Sequence, residues 1–305
     1  MLIPDDDRSD RWFETLKKFI LQIEPTWFQD IKSVSVNEIE EFENQFRHYV
    51  DMEFYLPKEY KIFIQNIGGM PYFSLSYKPI EFSYYSISVM FHFDDVWDRP
   101  YLEIGSQGIN EDEHLCYSLS PSMSLDEAPL VMTRYNISDT VKIADSLRQY
   151  LCCQSFLALG NQQFPHEYTY KLKFHMHEPP YELSPEALSW CEANKDGYHE
   201  EDECSLEDIG FIMQSQKIRD ILLKHNYQKA WFSTPFDQVW LQEDSFCSIS
   251  RDFDPNDMFD TVLGQICTYN QAAILSLIDD FAQIGYQCVE KKWRSHIPAF
   301  LQNLL

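Results

Sequence analysis

Apolar residues recur at helical spacing over the first part of the chain and at strand spacing through its middle. Trp12, Leu16, Phe19 and Ile23 stand three or four residues apart, so they share one face of a helix, with Ser9 or Asp10 placed to cap it. A second helix is predicted over about 37–47, where Ile39, Phe42 and Phe46 share a face. Its first turn holds Glu38, Glu40 and Glu41, where the helix dipole favours negative charge. Leu56-Pro57 opens a third helix, because a proline at the first helical position lacks only an N–H that would have no partner there. That helix turns Tyr60, Phe63 and Ile64 inward and stops at Gly68-Gly69.

From Tyr72 to Ile104 the period becomes two. Phe82, Tyr84, Ser86, Ser88 and Met90 alternate with Tyr85, Ile87, Val89 and Phe91, with aromatic and β-branched residues dominating. Further strands are expected over 101–104, 114–119 and 130–135, punctuated by Gly105, Gly108-Ile109-Asn110 and Pro121. A closing helix is expected over about 137–157. The sum is an α+β unit, an antiparallel sheet flanked by helices.

The second half repeats that mixture. Tyr168, Tyr170, Leu172, Phe174 and Met176 alternate with polar residues, which predicts a half-buried strand ending at Pro179-Pro180. Ser184-Pro185-Glu186 starts a helix carrying Leu188 and Cys191, and the acidic stretch from Gly197 to Glu203 reads as a loop. Ser205-Leu206-Glu207-Asp208 has the form of a capping box, and Ile218, Ile221, Leu222 and His225 continue at helical spacing. Strands follow over 229–233, 238–242 and 247–251. A helix capped by Asp254-Pro255-Asn256-Asp257 is expected to carry Phe259, Val262, Leu263 and Ile266, then a helix over 270–284 and a short strand over 286–289. The expected organisation is a helical arm over 1–32, a first domain over 33–158 and a second α+β domain over 160–305. One large extension packed on the first domain is the alternative.

Composition adds that the chain folds. Of its 305 residues 44% are hydrophobic, including 22 Phe, 18 Tyr and 7 Trp, which is ample for packed cores and rules out a disordered chain. The 49 acidic residues against 24 basic ones leave a net charge of -25. Such a surface is repelled by bare nucleic acid and anionic membranes and attracts basic proteins, and it also serves solubility. The opening Met-Leu-Ile-Pro-Asp-Asp-Asp has no basic stretch leading into an apolar run, and no run of ~18 uncharged apolar residues occurs. Neither a secretion signal nor a membrane span is expected. The eight cysteines are scattered without a Cys-x-x-Cys pair, which suits reduced thiols in a cytoplasm.

Catalytic patterns are weak. His175 and His177 alternate on one strand face, and with Cys204 or a carboxylate of the 199–203 stretch they form the best metal candidate; two histidines so spaced more often simply occupy a strand. Ser146 after Asp145, and Cys152-Cys153, lack the Gly-x-Ser-x-Gly turn or a paired histidine motif. Gly68-Gly69 and Gly105 with Gly108 lack a phosphate-binding pattern and its lysine. The chain therefore reads as a binding protein, with no catalytic residue, cofactor or metal expected.

A resemblance gives that reading a shape. Val36-Asn37-Glu38-Ile39-Glu40-Glu41-Phe42-Glu43, then Leu56-Pro57-Lys58-Glu59-Tyr60 through Phe63-Ile64 to Gly68-Gly69, resembles the opening of the SUKH superfamily, the Smi/Knr type. Two more landmarks follow in the family's order: Ile104-Gly105 through Cys116-Tyr117-Ser118-Leu119, and Ile143-Ala144-Asp145-Ser146-Leu147 through Leu151. The chain departs from the family where Ile67 separates Asn66 from the glycines and where Leu147 replaces an aromatic residue. The resemblance covers about residues 33–158. It implies a cytoplasmic bacterial immunity protein that binds and neutralises a cognate toxin domain, often a nuclease and therefore basic. The alternatives are a regulatory scaffold of the same family without a toxin, and a hydrolase or metal enzyme housed in the second half. Within the matched region Asp94, Asp95, Trp97 and Asp98, with Glu111, Asp112 and Glu113, are the expected partner-binding residues, an aromatic anchor with a charged rim.

Overall fold

The computed structural model describes residues 1–28, 33–50, 55–67, 72–73, 80–82, 89–90, 101–107, 113–118, 127–134, 137–164, 169–175, 216–252, 261–269, 271–284 and 287–290. Helices α1 (Trp12–Ile23), α2 (Val36–Val50) and α3 (Lys58–Ile67) open it. Helix α1 buries Trp12, Phe13, Leu16, Phe19 and Ile20, as the spacing required. Its N-cap is Arg11; Ser9 acts one step earlier, its hydroxyl accepting from the Arg11 N–H at 3.2 Å and its carbonyl from the Trp12 N–H at 3.0 Å.

Helix α2 starts on a reciprocal cap. The Ser35 hydroxyl accepts from the Glu38 N–H at 3.3 Å, while Oε2 of Glu38 accepts from the Ser35 N–H at 2.8 Å. In α3 the Pro57 carbonyl receives the N–H groups of Tyr60 and Lys61 at 3.0 and 3.1 Å, which sets the helix start at the proline.

The first sheet has seven strands: β1 (Tyr72–Phe73), β2 (Ile80–Phe82), β3 (Val89–Met90), β4 (Tyr101–Gln107), β5 (Glu113–Ser118), β6 (Leu130–Arg134) and β7 (Ile137–Ala144). Its order is β1-β2-β4-β5-β6-β7, β3 pairs beside β2 on the same edge of β4, and the pairings are antiparallel. Strand β7 corrects the expected helix over 137–157. The β-branched Ile137, Thr140, Val141 and Ile143 extend along β6, and the helix is confined to α4 (Leu147–Leu159).

Helix α4 begins at Ser146, whose hydroxyl accepts from the Gln149 N–H at 3.1 Å. It is buried nearly all round, with Leu147, Arg148, Tyr150, Leu151, Cys152, Cys153, Gln154, Ser155, Phe156 and Leu159 covered. A helix without a polar face belongs inside a structure, and α4 touches α1, α3, β7 and a strand of the second sheet.

A short 3-10 turn (Gly160–Gln163) leads into the second part. There lie β8 (Thr169–His175), helix α5 over 216–224, β9 (Gln228–Lys229), β10 (Asp237–Gln242), β11 (Ser245–Asp252), β12 (Thr261–Thr268), helix α6 (Gln271–Gln283) and β13 (Gln287–Glu290). These strands form a six-stranded antiparallel sheet in the order β13-β8-β12-β11-β10-β9. Strand β12 corrects the expected helix through Val262, Leu263 and Ile266. It lies between β8 and β11, where both faces are apolar, and a strand covered on both faces loses the alternation that would distinguish it from a helix. The expected helices starting at Ser184 and Ser205, and the 197–203 loop, lie outside the described residues, except that α5 carries Ile218 and Leu222 inward.

Helix α5 ends on Asn226 at φ 62°, with the Tyr227 N–H bonded to the Leu222 carbonyl at 2.9 Å and the Asn226 N–H to that of Leu223 at 3.0 Å. This is a Schellman stop, and asparagine tolerates its left-handed residue.

The strand registers sort the core into layers. Leu102, Ile104, Leu115, Tyr117, Leu130 and Met132 face a cluster that also holds residues of α1, α3 and α4. The same cluster continues to Phe232, Val239, Phe246 and Cys267, so α4 is packed between the two sheets. The ring of Phe156 meets those of Phe19, Phe232 and Phe246 at 6.4, 5.2 and 5.1 Å between centres. On its far face the second sheet presents Trp240, Cys247, Ile249 and Ile266 to Ile218 and Leu222 of α5 and Ile274, Leu277 and Phe281 of α6. The fold is α+β.

Candidate functional site

Buried charge collects at the start of α4. Glu59, in the first turn of α3, is only 2% exposed, and its carboxylate faces the unpaired N–H groups of the α4 terminus. One oxygen accepts from the Arg148 N–H at 3.3 Å; the other accepts from the Ala128 N–H at 3.3 Å and the Tyr117 hydroxyl at 3.1 Å. Burial pushes the Glu59 carboxyl up to about 7, against the lowering effect of the Leu147, Arg148, Ala128 and Tyr117 donors. Burial, and then the Glu59 charge, raise the Tyr117 phenol well above its ordinary value.

The side chain of the same Arg148 is 5% exposed. Its Nε donates to Glu127 at 2.9 Å, its Nη1 donates to Asp6 at 2.6 Å, and its guanidinium lies 4.7 Å from the centre of the Trp231 ring. Burial works against the Arg148 charge, but the Glu127 and Asp6 carboxylates outweigh it and raise its pKa above the ordinary value. Four pieces of chain meet here: the leading segment, the segment that leads into β6, the start of α4 and the segment between β9 and β10. The cluster gives the buried guanidinium two carboxylate partners and holds these pieces in register.

On the opposite face of the first sheet, His114 and Glu103 are each 8% exposed and bonded at 2.9 Å between Nδ1 and Oε1. Cys116, directly across from Glu103, lies beside Val131 on that face. A further pair joins α5 to α6, where Asp280 accepts from Lys224 at 2.7 Å and from His225 at 2.8 Å. Those two bonds hold the Asp280 carboxyl below its ordinary value.

Of the expected partner-binding residues, Asp94, Asp95, Trp97, Asp98, Glu111 and Asp112 lie outside the described residues. Glu113 begins β5, its backbone paired with Gln107 and Arg134. Of the metal candidates, His175 ends β8 opposite Thr261, while His177, Cys204 and the 199–203 carboxylates lie outside the described residues. No group of three His, Cys, Asp or Glu side chains placed to hold a metal ion occurs among the described residues. Ser146 is a helix cap and Cys152 and Cys153 are buried core thiols, with burial raising both thiol pKa values. Among the described residues no helix is long and apolar enough to cross a membrane.

The sequence pointed to Glu59 and Arg148 only as members of longer motifs. Asp6 and Trp231 carried no signal, because the Asp6–Arg148 bond closes a separation of 142 residues. Compared with protein-family models, with curated proteins and with solved structures, the chain gives no match.

Proposed function

We propose that the chain is a cytoplasmic bacterial immunity protein of SUKH type, which captures a basic toxin domain, nuclease-like in charge, by surface complementarity. The observation that carries this reading is that the resembling residues, in the family's order, fall on or at the starts of helices and strands of one α+β unit. Glu38 to Glu43 lie on α2, Leu56-Pro57 at the start of α3, Ile104 and Cys116 to Ser118 on β4 and β5, and Ser146 to Leu151 on the cap and first turns of α4. Surface charge supports it too: Glu38, Glu40 and Glu41 are exposed on α2, on a chain of net charge -25. An acidic inhibitor occupies the surface with which a nuclease meets phosphates, and its field speeds encounter with a basic partner.

Asp94, Asp95, Trp97 and Asp98, with Glu111, Asp112 and Glu113, remain the proposed contact set, Trp97 as anchor and the carboxylates as rim. The test is to co-express the chain with each neighbouring gene product and assay rescue of growth. Rescue from one toxic neighbour, lost in Trp97→Ala and in the combined Asp94→Asn, Asp95→Asn and Asp98→Asn variant, supports the proposal. Absence of rescue from every neighbour refutes it, and rescue that survives both variants removes the contact set.

A further inference from the structure

Residues 1–8 carry no regular secondary structure, yet Leu2, Pro4, Asp6 and Asp7 bond to the body of the protein, Asp7 by accepting from the Thr15 hydroxyl at 2.7 Å. Gln163 grips the backbone of Leu2 from both sides: Oε1 accepts from the Leu2 N–H at 2.6 Å and Nε2 donates to the Leu2 carbonyl at 3.0 Å. The indole N–H of Trp231 donates to the Pro4 carbonyl at 2.9 Å, and Pro4 is buried. Arg148 takes the Asp6 carboxylate at 2.6 Å. Leu2, Pro4 and Asp6 are alternate positions; Pro4 is buried, whereas Leu2 is 42% exposed and Asp6, like Ile3 and Asp5, is exposed. Bonds to alternate residues hold an extended peptide from one side, here through the main chain at Leu2 and Pro4 and through the Asp6 carboxylate, with Pro4 as the buried residue.

The receiving side also has contacts of its own that do not involve the segment. Arg148 is 4% exposed, fixed from its other edge by Glu127 and by the face of Trp231. A planar guanidinium held in this way selects a carboxylate by geometry as well as charge. We propose that Gln163, Trp231 and Arg148 form a groove for an extended acidic peptide with a carboxylate two residues after a proline. In this structure the chain's own residues 2–6 occupy it, and a partner chain presenting such a segment displaces them. A partner fits better than a second copy of this chain, because two bodies each carrying a net charge of -25 repel one another. The inference stands apart from the identity of the toxin proposed above.

The resident segment competes at the high effective concentration of an attached ligand, so displacement is detected best after weakening it. The experiment uses the full-length chain carrying Asp6→Ala and a capped, labelled peptide of residues 2–8, with binding followed by fluorescence anisotropy. The expected result is saturable binding to the variant at least about tenfold tighter than to the unaltered chain, and at least about tenfold weaker for a peptide with asparagine in place of Asp6. Equal binding of the two peptides, or no binding to a variant whose circular dichroism matches the unaltered chain, overturns the proposal. If Asp6→Ala unfolds the chain, the peptide is titrated into unaltered protein at millimolar concentration. The Trp231 indole resonance is then followed, assigned by its loss in Trp231→Phe. A saturable shift supports the groove and an unmoved resonance overturns it. A dimer of the unaltered chain joined by exchanged leading segments places a second copy in the groove and overturns the partner reading.

Discussion

The guanidinium of Arg148 lies 4.7 Å from the centre of the Trp231 ring while its two donor edges hold Glu127 and Asp6. One side chain thus links the helix between the sheets to the second half of the chain and to its leading segment. A buried cation with two partners and an aromatic face is costly to remove. Arg148→Met is expected to lower stability by about 2–3 kcal/mol, measured by urea unfolding, because both carboxylates lose their charged donor. Arg148→Lys is expected to recover less than half of that loss, since a single ammonium cannot reproduce the fork.

Glu59 makes stability depend on pH with a defined sign. Its carboxyl is raised from an ordinary 4.5 to about 7 in the folded chain, so between those values the folded state holds a proton that the unfolded state has released. The stabilising contribution is full below about 4.5 and fades as pH rises to about 7, by up to about 3 kcal/mol. Urea midpoints measured from about pH 5 to about pH 8 are expected to fall more steeply for the unaltered chain than for Glu59→Gln, which has no carboxyl to titrate. Parallel slopes for the two proteins contradict this account of the site.

The packing around Phe156 predicts that the two sheets share their stability. Phe156→Ala is expected to cost about 3–5 kcal/mol, because the ring fills space between Phe19, Phe232 and Phe246. Gly160→Ala tests the same ring from the other side, since a Cβ there would sit 3.0 Å from the Phe156 ring, and about 1 kcal/mol or more of destabilisation is expected. Hydrogen exchange is the measurement that decides, with protection expected to fall in β5 and in β10 and β11 together.

Much of this fold was legible in the chain where local spacing or a single residue marks an element. The stripe Trp12, Leu16, Phe19 fixed α1, Pro57 fixed the start of α3, and alternation along 169–175 fixed β8. Reading failed where an element is covered all round or where pairing overrides local spacing. Val262, Leu263 and Ile266 mimic a helix because β12 is a central strand, and Ile137 to Ala144 pair with β6 although they run directly into the cap of α4. The cluster around Arg148 was illegible for another reason: its members are brought together only by the packing of α4, and a run such as Asp5-Asp6-Asp7 reads locally as a solvated turn.

Among the described residues Cys116, Cys152, Cys153, Cys247 and Cys267 are buried, and burial raises the thiol pKa of Cys152, Cys153 and Cys247. Their thiolates are therefore scarce and shielded. Alkylation at about pH 8, mapped by mass spectrometry, is expected to label these five only after urea unfolding; rapid labelling of any of them in the native chain contradicts the packing described.

The claim that this acidic chain captures a basic toxin domain is tested most directly by calorimetric titration with the product of a neighbouring toxic gene, at low and at raised salt. The account predicts a saturable nanomolar complex that weakens as salt screens the opposed charges. Absence of binding to any such product, or an affinity indifferent to salt, contradicts it.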